Sequence, residues 1–179
     1  MKPDDILSFW LNDIEQSKWW VKDVEFDKLI ERKFLTLYEQ ASNCELFDWR
    51  ATAKGRLAEI IILDQFSRNI FRDTPKAFSS DQLALALSQE AISLGRHLEL
   101  NETEKTFLYM PYMHSESLKI HDIAVQLFKD NGVQSNFDFE MKHRDIIEKF
   151  GRYPHRNKIL NRKSTKAELE FLTQPGSSF

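Results

Sequence analysis

"TAKGRLAEIIILDQFSRNIF", residues 52–71, is the stretch on which the fold turns. From Leu57 to Leu63 it is apolar nearly all round, the pattern of a helix buried among other elements. Strands would show sustained alternation in twos between turn signals, and no segment of the chain does so.

The helical pattern extends outward on both sides. Upstream, Asp4 and Asp5 after Pro3 open a helix through Phe9, Trp10 and Leu11. A second helix is expected from about Glu25 to Ala41, with Phe26, Leu29, Ile30, Phe34, Leu37 and Tyr38 at helical spacing. Leu46, Phe47 and Trp49 fall in a short link. Downstream, Thr74-Pro75 breaks the chain, and Ser79 or Ser80 caps "DQLALALSQEAISLG", stopped at Gly95. Asn101 and Glu104 have capping-box spacing, and Pro111 is expected to end their helix. Ser115 is read as the cap of a helix closed at Asn131-Gly132, Asp138 as the start of one ending at Gly151, and Thr165 with Glu168 as a last capping box.

The expectation is an all-α protein: an antiparallel helical array over residues 1–172 as a single domain, with 173–179 as a flexible tail. Several helix pairs recur at about 35 residues without matching residues, the mark of a tetratricopeptide-like superhelix lacking consensus repeats.

Composition agrees. Gly and Pro number five each, few for a turn-rich β protein, while 14 Phe and 4 Trp supply bulky core packing. The single Cys44 excludes an internal disulfide and a cysteine-based zinc cluster. The start, "MKPDDILSFWLND", lacks the apolar core of a signal peptide, and Ile60–Leu63 is far too short to cross a bilayer. A cytoplasmic protein with no membrane contact is expected. The net charge is −3, yet residues 142–166 carry nine Lys/Arg against two acids. That basic segment lacks interleaved aromatics for stacking bases, so nucleic acid is not the expected partner.

Three polar clusters carry candidate chemistry. In "LDQFSRNIFR", Asp64, Arg68 and Arg72 fall at i, i+4 and i+8, beside a row of Gln65 and Asn69. Continuing so apolar a segment, this stripe must face polar partners or a pocket. In "YMPYMHSES", His114 and Glu116 lie at an interhelical turn, an imidazole able to exchange protons near neutral pH beside a carboxylate. In "FGRYPHRNKILNRKST", Pro154 suits a first helical position, so the N–H groups of "HRNKIL" with Arg152, His155 and Arg156 form a seat for a carboxylate or phosphate. The alternative is that these arginines pair with Asp64, Glu116 or other internal acids and close the fold. His114, His143 and His155 show no metal-ligand spacing, and no phosphate loop or nucleophile elbow occurs. No metal and no cofactor are expected.

These clusters, in this order, resemble the bacterial family of unknown function 924, described as having a tetratricopeptide-like helical fold. The carrying segments are "LDQFSRNIFRDTPKAFSSD" (63–81), "FLYMPYMHSE" (107–116) and "FGRYPHRNKILNRKSTKAELEFL" (150–172), with "FW" and "WW" near the start. The resemblance covers nearly the whole chain. It places the family's signature on Asp64, Gln65, Arg68, Asn69, Arg72, Asp81, His114, Glu116, His143, Gly151, Arg152, Pro154, His155, Arg156, Asn157, Arg162 and Thr165. Ser67 stands where a Pro is expected, and Asn161 where a Gly usually precedes the later Arg. Neither change removes a reactive group.

Two functional readings follow. In the first, the clusters line a pocket for a small anionic molecule. Arg68, Arg72, Arg152 and Arg156 hold the anion, with Gln65, Asn69, His143, Asn157 and Arg162 completing the site. His114 or His155 moves protons, oriented by Asp64 or Glu116. In the second, a helical array binds a protein or peptide without catalysis and presents Trp10, Trp19 or Tyr112 on a concave face.

Overall fold

In the computed structural model, which describes residues 1–178, four of the α-helices begin at a residue whose side chain accepts from an N–H group of the first turn. Helix α1 (Pro3–Ser8) continues as a π-helical turn, Phe9–Asp13. Helix α2 (Val24–Ser42) starts under Asp23, whose Oδ1 accepts from the N–H groups of Glu25 at 3.0 Å and Phe26 at 3.1 Å. Helix α3 (Ala53–Ile61) is capped by Thr52 and runs through a π-helical turn, Ile62–Phe66, into α4 (Ser67–Ile70). Then come α5 (Asp81–Ser93), α6 (Glu102–Met113), α7 (Leu118–Asn131), α8 (Gln134–Phe150) and α9 (Lys166–Phe171). Both expected capping boxes form: Asn101 Oδ1 with the Glu104 N–H at 3.0 Å, and Thr165 Oγ1 with the Glu168 N–H at 3.2 Å. Among the described residues there is no strand, and no helix is long and apolar enough to cross a membrane.

The α3–α4 stretch is the centre of the molecule. Leu57, Ala58, Ile60, Ile61, Ile62, Leu63 and Phe66 are all 0% exposed, as its all-round apolar pattern predicts. α1 packs on α3, α2 on the segment 62–70, and α5 and α6 on the remaining flank. Phe34 stacks on Phe66 with ring centroids 4.6 Å apart, and Trp10 meets Phe66 edge-on at 5.4 Å. Beyond this core, α5, α6, α7 and α8 pack each on the next, compatible with a tetratricopeptide-like stack. A smaller cluster of Ile146, Ile147 and Tyr153 fills the space under the last segment.

Several boundaries differ from the sequence reading. Pro111 lies inside α6: the turn after it closes through the His114 N–H to the Met110 carbonyl at 3.0 Å, and Met110 to Met113 are all buried. Packing outweighs the one backbone hydrogen bond that proline forfeits. Ser80 precedes α5 without capping it, because its hydroxyl bonds Tyr38 Oη at 2.8 Å. Ser117, not Ser115, stands before α7. α8 starts four residues before Asp138, where the Asn136 and Phe137 N–H groups close on the Val133 carbonyl. Trp10 and Tyr112 are buried and Trp19 is partly so, so these three are not the exposed aromatics that a peptide-binding face was expected to present, whereas Trp20 is 60% exposed.

At Gly55 the helix backbone lies close against the preceding turn. A β-carbon there would lie 1.9 Å from the Trp49 carbonyl oxygen. On an ordinary helix Gly→Ala stabilises by about 1 kcal/mol. Here Gly55→Ala is expected to destabilise by roughly 1–3 kcal/mol through forced displacement of the preceding turn. Urea unfolding of the two proteins measures this, and a stabilised variant would show that the contact yields.

Candidate functional site

The site is organised by the end of α6. The last carbonyls of a helix have no partner within it, and here that of the final residue, that of the cap His114 and that of Ser115 just beyond are taken by side chains from elsewhere. Tyr153 Oη donates to the Met113 carbonyl, Arg156 Nη2 to that of His114 at 3.1 Å, and His121 Nε2 to that of Ser115 at 2.8 Å. The next residue, Glu116, is held by both forks of Arg162, at 2.6 and 2.9 Å, and by the Tyr153 N–H at 2.8 Å. The turn that bears His114 is thereby fixed from α7 and from the 153–162 segment together.

The His114 ring is set from the other side. Its Nδ1 lies 2.7 Å from Oδ1 of Asp64, a fully buried carboxylate in the π-helical turn after α3. The other oxygen of Asp64 accepts from Gln65 Nε2 at 2.6 Å. Burial alone would raise the Asp64 pKa, but His114 and then the Arg68 cation outweigh it and hold the group well below the usual carboxylate range. Burial, reinforced by Arg68, lowers the pKa of His114. The pair is therefore a carboxylate and a neutral imidazole whose Nδ1–H points at Asp64. Its Nε2 takes no hydrogen bond among the described residues and is not sealed from solvent; the side chain is 17% exposed.

Two guanidinium groups flank this dyad. Arg68 forks onto Asp81 at 3.0 and 3.1 Å and lies 3.3 Å from Asp64 Oδ1. Arg156 is only 6% exposed, with its guanidinium 4.6 Å from the ring centroids of both Phe78 and Tyr153. It is poorly compensated. Its contact with Asp81 is 3.4 Å, its Nε–H is buried without a partner, and burial with the Arg68 charge pushes its pKa down.

The structure thus brings together Asp64, Gln65, Arg68, His114 and Arg156, with the Glu116–Arg162 pair bracing the same turn. His143 meets Tyr153 edge-on and His155 lies tilted against it, with ring centroids 5.7 and 5.4 Å away. The single polar stripe expected after Leu63 does not persist. α4 ends at Ile70, so Arg72 swings away and, with Asn69, binds Asp27 on α2. Arg152 pairs with Glu168 at 2.6 and 2.9 Å, which holds that carboxyl at about 2 and anchors α9. Asn157 bonds Ser164 and accepts from Arg162. The expected helix N-terminal seat is not formed either: Pro154–Arg156 is a single 3-10 turn, and the Arg156 and Asn157 N–H groups bond the Tyr153 and Pro154 carbonyls. Tyr153, Phe78, His121 and Glu140 escaped the sequence reading, and Asp81 entered only through the family resemblance. Tyr153 sits in the flagged stretch, but nothing local shows that its hydroxyl reaches α6.

A hollow of about 870 Å³ lies between α1 and the start of α6, and one of about 530 Å³ lies beside Arg152 and Glu168; His114 lines neither. Among the described residues no group of three or more His, Cys, Asp or Glu side chains is placed to hold a metal ion.

A family model described as "Bacterial protein of unknown function (DUF924)" matches residues 6–176. The chain belongs to this family. Among solved structures it is similar to the protein of unknown function ATU0120 from Agrobacterium tumefaciens, at 36% identity over 95% of this chain and 96% of that one, with a TM-score of 0.90. No curated protein matches. The DUF924 assignment and this similarity establish the fold and leave the chemistry to the geometry above.

The buried histidines give this DUF924 protein an acid-sensitive core. Burial lowers His143 to about 3 and His155 to about 4, the latter helped by Arg156. Between those values and the ordinary one near 6.5, the unfolded chain binds protons that the folded chain refuses. Stability should therefore fall as pH drops from about 6.5, by up to about 1.4 kcal/mol per pH unit for each histidine. Urea unfolding at successive pH values would show the slope. His143→Gln should lower it by one histidine's share, and an unchanged slope in that variant contradicts the assignment.

Proposed function

We propose that the His114 cluster is a proton-transfer site for a small anionic substrate. The observation that carries this reading is the Asp64–His114 pair: a buried carboxylate 2.7 Å from Nδ1, with no hydrogen bond to Nε2 among the described residues and a side chain 17% exposed. An ionised Asp that accepts the Nδ1–H sets the tautomer so that the Nε2 lone pair faces outward, ready to take a proton, and stabilises the imidazolium formed when it does. Arg68, 3.3 Å from Asp64 Oδ1, and Arg156, on the His114 carbonyl, place positive charge near the pair. Arg156 supports an anion most directly, since it is the buried cation with the weakest internal pairing. An anion arriving at the partly exposed rim of Arg68, Asp81 and His114 would compensate it electrostatically. Arg72, Arg152 and Arg162 are each committed to an internal carboxylate and serve here as framework.

The probes are inorganic phosphate and acetate at constant ionic strength, read by thermal unfolding and by the His114 ring resonances. Phosphate at about ten times its dissociation constant should stabilise by about 1.4 kcal/mol, or roughly 3–6 °C for a chain of this size, and should move the His114 signals. Arg156→Gln should remove both responses. His114→Gln should keep the thermal shift, because that residue handles the proton and not the charge. Absence of any response to either anion in the unmodified protein overturns the reading.

A further inference from the structure

Behind the His114 turn lies a second carboxylate–imidazole pair, which the proton-transfer reading does not use. His121 on α7 and Glu140 on α8 are both 0% exposed, with Nδ1 2.7 Å from Oε1. Their protons can be counted. The one proton of Tyr153 Oη goes to the Met113 carbonyl, so that hydroxyl can only accept from His121 Nε2 at 3.2 Å. The Ser115 carbonyl, 2.8 Å from the same nitrogen, also only accepts. Nε2 therefore carries a hydrogen, and one further proton lies between Nδ1 and Oε1. Either the pair is imidazolium with carboxylate, or it is neutral imidazole with carboxylic acid.

The remaining carboxyl oxygen decides. Glu140 Oε2 is sealed from solvent and has no donor. A full carboxylate with one oxygen bare in a dry interior is far more costly than the carbonyl of a neutral acid in the same place. We propose that Glu140 is a carboxylic acid in the folded protein, giving its hydrogen bond to a neutral His121, and that this uncharged pair is the strut that fixes the Ser115 carbonyl and so positions the turn bearing His114.

Burial raises the Glu140 pKa; the His121 bond and Arg144 oppose this only in part. Arg144 is itself drawn off to Asp122 and Glu148, each at 3.0 Å. The other charged or titratable groups around the pair are His143 on α8, Tyr153, His155 and Arg156 on the last segment, and His114 and Glu116 on the turn. Burial keeps His143 and His155 neutral, and Glu116 is spent on Arg162. None supplies a donor to Oε2.

The test uses the full chain labelled with nitrogen-15 in histidine, without added anion, so it is independent of the phosphate titration. At neutral pH His121 should show a protonated Nε2 and an unprotonated, hydrogen-bonded Nδ1; two protonated ring nitrogens would sink the proposal. Glu140→Gln keeps an N–H donor for Nδ1. It should leave the His121 tautomer and the His114 Nδ1–H resonance in place, whereas Glu140→Leu should displace both. If the glutamine variant displaces the His114 signal as far as the leucine variant does, the strut is charged and the proposal fails. Should the leucine variant not fold, the tautomer in the unmodified protein and the glutamine variant decide the matter.

Discussion

A helix that ends inside a protein must find donors for its last carbonyls, and α6 ends inside this one. Tyr153, Arg156 and His121 each supply one, to three successive residues. This requirement ties α7 and the segment after α8 to the same turn. His114 gains a fixed backbone without spending its own ring, which remains to meet Asp64.

Around that turn, buried charges are kept affordable by pairing. Arg162 answers Glu116, Arg152 answers Glu168, Arg72 answers Asp27, and Arg68 answers Asp81 and Asp64. Such pairs contribute little net stability relative to apolar packing, but breaking one leaves an uncompensated charge in a dry place. The network therefore specifies which helix ends meet more than it strengthens their meeting. Arg156 is the exception, wedged between two aromatic rings with its Nε–H unanswered. That incomplete pairing beside an unengaged imidazole nitrogen is what separates a candidate site from a closed structural knot.

The histidines divide by environment. His114 is neutral beside a carboxylate and reaches solvent; His143 and His155 are kept neutral by burial against Tyr153; His121 shares a proton with Glu140. Keeping imidazoles uncharged here avoids adding cations to a region that already holds Arg68, Arg156 and Arg162. The cost is that acid works against the fold wherever the unfolded chain can protonate them.

The residues alone determined much of this. The all-round apolar run from Leu57 to Leu63, the capping boxes at Asn101 and Thr165, and Gly132 and Gly151 at helix ends are local signals, set by backbone hydrogen bonds and side chains within a few positions, so they could be read in order along the chain. The three polar clusters were legible for the same reason, since a buried stripe of charge is anomalous wherever it occurs. Their partners were not. That Arg72 belongs to Asp27, that Tyr153 reaches Met113, and that Glu140 meets His121 depend on contacts between residues 45, 40 and 19 positions apart. Where α4 stops and how the π-helical turn rotates Asp64 toward α6 decide which acid faces which base. Only the packed tertiary structure sets those, because charge pairing acts through space and carries no local periodicity.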